Sequence, residues 1–68
     1  MNYRMADLDK ALVQDFGCNR VAARHAVARY LQEAGHRPSR IGVYSGDPII
    51  IAEWIWGTKR YWREPVVR

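Results

Sequence analysis

By type, Cys18, His25 and His36 are the residues of this chain best suited to chemistry. A thiol beside an imidazole can act as a nucleophile–base pair. Such a pair needs a third group to orient the base and a walled pocket to hold a substrate. The sequence offers no evident third group, and a spacing of seven and then eleven residues fits no zinc-ligand pattern. Cys18 reads as a small apolar residue in a turn, and His36 as a solvated one. Asp47 and Glu53 are an isolated acidic pair, and Asp47 has a turn-forming explanation. Gly42 and Gly46 do not form a phosphate-cradling loop. The chain is therefore expected to be non-enzymatic, with no metal and no cofactor.

The other chemistry on offer is recognition of anions. The formal net charge is +4, from eleven basic and seven acidic residues, and nine of the basic residues are arginine. Arginine presents a planar fork of donors that matches phosphate and guanine edges. The excess is local. Residues 17–45 hold Arg20, Arg24, Arg29, Arg37 and Arg40 against Glu33 alone, and residues 55–68 hold Lys59, Arg60, Arg63 and Arg68 against Glu64. Residues 1–16 and 46–54 are mildly acidic.

The elements that must position these side chains belong to one domain of 68 residues, 49% of them hydrophobic. A core this small supplies about 3–5 kcal/mol unless something staples it, and a lone cysteine forms no internal disulfide. Dense aromatic packing, a partner or oligomerisation must make up the difference. The longest near-apolar run, residues 48–56, contains Glu53 and is half a membrane span. The N-terminus lacks the apolar core of a signal peptide, so a cytoplasmic location and no membrane partner are expected.

In residues 7–16, Leu8, Ala11, Leu12 and Phe16 fall at helical spacing, with Asp7 or Asp9 as N-cap and Gly17 as the stop. Asn19 caps a second helix over about 20–34. Its apolar stripe is Ala23, Ala26, Val27, Tyr30, Leu31 and Ala34, and Gly35 ends it. The remainder is expected to form three antiparallel strands at about 41–45, 49–56 and 59–64, giving an α+β fold. The Ser45–Pro48 cluster and the Gly57-Thr58 turn separate them, and Trp54 faces Tyr61. One alternative stays open: Asp47-Pro48 also suits a helix start, with Asp as cap and Pro in the first turn.

Leu12 to Gly35 reads LVQDFGCNRVAARHAVARYLQEAG. It resembles the helix-turn-helix of GntR-like winged-helix transcription regulators. Phe16-Gly17-Cys18 fills the turn, Asn19 takes the cap position, and Arg20 and Arg24-His25-Ala26-Val27 follow. The resemblance implies a non-enzymatic regulator of duplex DNA. Arg20, Val21 and Arg24 would approach the major groove, His25 or Arg29 would add a backbone contact, and the hairpin, with Lys59 and Arg60 near its tip, would be the wing. A reader of this size would act as a homodimer, because one half-site gives limited affinity. The resemblance covers about 24 residues and includes no effector-binding domain, so it implies no small-molecule sensing.

A second expectation comes from Trp54, Trp56, Tyr61 and Arg63. Trp, Tyr and Arg dominate the energetics of protein interfaces. They suit a small phage or mobile-element inhibitor that docks on a host protein or nucleoprotein complex, as anti-CRISPR proteins do.

Overall fold

A computed structural model describes residues 1–62. In chain order it holds β1 (Asn2–Tyr3), α1 (Met5–Phe16), α2 (Arg20–Ala34), β2 (Tyr44–Ser45), α3 (Pro48–Gly57) and a 3₁₀ turn (Lys59–Trp62). Both expected N-terminal helices form. The first begins at Met5, two residues before the expected span of 7–16, with Arg4 rather than Asp7 or Asp9 at the cap. Asp7 lies in the first turn, where its carboxylate accepts the Arg4 N–H at 2.8 Å. Leu8 and Leu12 are wholly buried on one face of α1, with Ala11 and Phe16 packed beside them. In α2 the buried stripe is Ala23, Ala26, Val27 and Leu31, with Tyr30 partly covered, while Ala34 is exposed.

The three-stranded sheet does not form. Residues 49–56, expected as its central strand, lie in the ten-residue helix α3. Local chemistry explains the outcome. The Asp47 carboxylate accepts the Ile49 N–H at 2.9 Å, and Pro48 occupies the first turn, where its missing N–H costs nothing. Ile51, Ala52 and Ile55 then share one face and pack on the core, and small Ala52 lets the neighbouring helix approach. The far end is closed by side chains. The Thr58 hydroxyl donates to the Trp54 carbonyl at 2.8 Å, and the Trp62 indole N–H donates to the Ile55 carbonyl at 2.8 Å.

Of the return strand expected at about 59–64, residues 59–62 form the 3₁₀ turn and residues 63–64 lie outside the described residues, so Trp54 does not face Tyr61 across a hairpin. Of the strand expected at 41–45 only Tyr44–Ser45 is extended. It pairs antiparallel with Asn2–Tyr3 near the N-terminus (Asn2 to Ser45, Tyr3 to Tyr44), which makes a two-stranded sheet the one sheet among the described residues. The architecture is mostly helical. Helix α1 packs against both α2 and α3, and the 3₁₀ turn packs on α2. No helix among the described residues is long and apolar enough to cross a membrane.

Gly46 links β2 to α3 at φ 136°, and its N–H donates to the Met1 carbonyl at 2.7 Å. A Cβ there would lie 2.8 Å from Ile51 Cδ1 and 3.3 Å from the ring of Tyr3, which is itself 1% exposed and stacked on Tyr44. Gly17 also has positive φ, 68°, but an added Cβ there meets nothing within 4 Å. Gly46→Ala combines backbone strain with a tight approach to the Tyr3 ring, while the end of the Ile51 side chain can turn aside, and should cost about 1–3 kcal/mol, against about 1 kcal/mol for Gly17→Ala. Urea unfolding midpoints of the two variants check the order. Equal losses would mean that the Tyr3–Gly46–Ile51 contact is not tight.

Candidate nucleic-acid interface

Helix α1 ends on Gly17 in the left-handed conformation, and the Cys18 N–H returns to the Leu12 carbonyl at 3.2 Å. Only Gly17, Cys18 and Asn19 separate the two helices. Cys18 is half-buried in this corner, and burial pushes its thiol above the ordinary range, which suits packing rather than reactivity. The Asn19 side chain accepts from the Val21 and Ala22 N–H groups at 2.9 and 3.2 Å, so α2 starts at a fixed residue. Because Ala23, Ala26 and Val27 face the core, Arg20, Val21, Arg24 and His25 face outward. Val21 is 62% exposed.

Arg20 and Arg24 line an open notch of about 360 Å³ whose other wall is α1, with Asp9, Lys10 and Gln14. Neither arginine has a carboxylate within 4 Å among the described residues. Burial raises the Asp9 carboxyl above the usual range, while Arg24 and then Arg20 act in the opposite direction. Lys10 and Gln14 were not singled out from the sequence. The signal was available, since they lie four residues apart on one side of a helix over 5–16.

The remaining sequence candidates divide between scaffold and surface. Arg29 donates through Nη1 to the Tyr61 carbonyl at 2.7 Å. Arg60 forms a forked pair with Glu33 and lies over the Tyr61 ring, 5.0 Å from its centre. The Tyr61 hydroxyl donates to Glu33 at 3.1 Å. These bonds clamp the 3₁₀ turn onto α2 and occupy both guanidinium groups. Arg60 therefore lies in a turn held on α2 rather than near the tip of a wing, as does Lys59, which is exposed. Tyr61, 3% exposed, is core and stands edge-on to Tyr30.

Trp56, 48% exposed, stacks on Phe16 and meets Trp62 edge-to-face. Trp54, 57% exposed, continues an outer face of α3 that includes Ile49 and Ile50. Arg63 lies outside the described residues. No family model, curated protein or solved structure matches the chain.

The Arg60 fork holds the Glu33 carboxyl below the usual range. A carboxylate depressed in the folded state stabilises above its unfolded pKa, about 4.3, and that contribution fades as pH falls through the lower folded value. Glu33→Gln should therefore melt below the parent protein at pH 6, with the gap closing toward pH 2. Thermal melts across that range check it, and a gap independent of pH would mean that the clamp is not ionic.

Proposed function

We propose that this chain is a small, non-enzymatic, helix-turn-helix DNA-binding regulator that reads duplex DNA with the first turns of α2. One observation carries the reading. The residues that the GntR-like resemblance sends toward DNA, Arg20, Val21 and Arg24, share an outward surface at the capped start of α2, and both arginines are free of carboxylate partners among the described residues. Exposed guanidinium groups serve phosphates or guanine edges, and an exposed Val21 suits a thymine methyl. The absence of the expected hairpin narrows the footprint to the α1–α2 corner, with His25 beside it, and no wing takes part.

A second reading has its own support. Ile49, Ile50 and Trp54 are 63%, 65% and 57% exposed on α3, with exposed Glu53 among them, and large apolar side chains left in water mark protein contacts. It fits an inhibitor of the anti-CRISPR type docking on a protein or nucleoprotein complex.

Duplex binding should weaken steeply with salt, by about 0.9 log units per tenfold change for each neutralised phosphate. Arg20→Ala with Arg24→Ala should lower affinity at least tenfold at 100 mM salt and flatten that slope. Fluorescence anisotropy on a mixed-sequence duplex pool measures both, and no binding at 50 mM salt would overturn the DNA reading.

The docking reading expects Ile50→Asp or Trp54→Ala to abolish a nuclease-resistant complex in pull-downs while circular dichroism stays unchanged. Retention of that complex in both variants would rule out the α3 face.

A further inference from the structure

The notch between α1 and α2 holds three cationic side chains and one carboxylate in a concave site open to solvent. Lys10 comes from α1, Arg20 and Arg24 from α2, and Asp9 sits among them. The Oδ1 atom of Asp9 is shielded from solvent and accepts no hydrogen bond from any described residue, and no basic group lies within 4 Å of its carboxylate. The cations therefore surround Asp9 without being consumed by it. A second anion entering the notch would meet their unused donors and would also meet the Asp9 charge.

We propose that this notch is a phosphodiester-binding site, gripped by Lys10, Arg20 and Arg24, in which the Asp9 carboxylate is a proton-sensitive brake. Its natural ligand, a duplex backbone phosphate, rests on the DNA-binding reading. The site itself is a claim about anions and can be tested apart from that reading.

The sign follows from the charges. Ionised Asp9 repels the incoming phosphodiester and screens its cations, whereas protonated Asp9 does neither, so occupancy rises as pH falls. Burial, which moves the Asp9 carboxyl upward, brings that titration closer to neutral pH. The charged groups around Asp9 are Arg24 and Arg20 on α2, whose charges act on it, and Lys10 on its own helix, which lines the same notch. His25 faces a different surface, with Ala28, Arg29 and Gln32.

The test pairs Asp9→Asn with Lys10→Ala in the full chain, with His25→Gln as the control for histidine protonation. Two probes are used: a duplex pool, read by anisotropy, and sulfate, whose charge is constant over the range, read by amide chemical shifts. At pH 7.5 Asp9→Asn should tighten duplex binding about three- to tenfold, and Lys10→Ala should weaken it by a similar factor. From pH 7.5 to 4.5 the parent protein and His25→Gln should both gain affinity, while Asp9→Asn should gain less. Sulfate should shift the amides of Lys10, Arg20, Val21 and Arg24, more strongly in Asp9→Asn.

Sulfate binding in the notch without duplex binding would support the site and overturn the DNA reading. Duplex binding unchanged by both Asp9→Asn and Lys10→Ala would overturn the site and leave the DNA reading standing. If Asp9→Asn fails to fold, Lys10→Ala and the sulfate shifts decide alone. No response to either probe would overturn both.

Discussion

Leu8 and Leu12 hold this molecule together. Both are completely buried, and both lie on α1, the helix that α2 and α3 each pack against. Fully burying a leucine contributes about 1.5–3 kcal/mol, comparable to the entire net stability expected of so small a domain. The spacing of these two residues orients α1, and that orientation dictates which sides of α2 and α3 turn inward. Ala23, Ala26 and Val27 meet the core from α2, and Ala52 and Ile55 meet it from α3. Everything α2 presents to solvent at its N-terminal end, including Arg20 and Arg24, follows from this arrangement together with the Gly17 turn and the Asn19 cap.

The chain divides its arginines between two jobs. Arg29 and Arg60 bond to groups on the other side of the α2–3₁₀ junction, the Tyr61 carbonyl and the Glu33 carboxylate. These bonds fasten the last described element to the bundle. Arg20 and Arg24 have no such partners among the described residues and stand at the edge of an open notch. The composition counts these four residues alike, but Glu33 neutralises Arg60 and the Tyr61 carbonyl takes one donor of Arg29, whereas Arg20 and Arg24 keep both charge and donors. The α1–α2 corner also gains Lys10, which belongs to a segment that is acidic in sum.

What the sequence made legible follows the range of the forces involved. Helices α1 and α2 were readable because their signals are local: a 3.6-residue apolar period, an Asn cap and a left-handed glycine after each. The outward placement of Arg20, Val21, Arg24 and His25 followed from the same period. Helix α3 was misread because three consecutive isoleucines and two tryptophans have strand-like composition. The Asp47-Pro48 start and the 51, 52, 55 spacing carried the helical signal, and α1 supplied the surface that made a helix profitable. The short β1–β2 pair has no periodicity to detect. The roles of Arg29, Arg60 and Tyr61 depend on contacts about thirty residues apart, which no local pattern encodes.

Choosing helix over strand at residues 48–57 has a consequence for the surface. A strand would have sent alternate side chains of Ile49, Ile50 and Ile51 to opposite faces. A helix turns each by about 100°, so Ile51 packs inward while Ile49 and Ile50 are left in water alongside Trp54. These exposed residues lie outside the buried cluster, so core packing does not account for their size. Helix α3 also carries no lysine or arginine. The described surface therefore includes a cationic corner on α1 and α2 and, on α3, a face that holds Ile49, Ile50, Glu53 and Trp54 and no cation. The first suits the charge of a phosphate backbone. The second lacks the donors a phosphate requires and suits only a partner that excludes water.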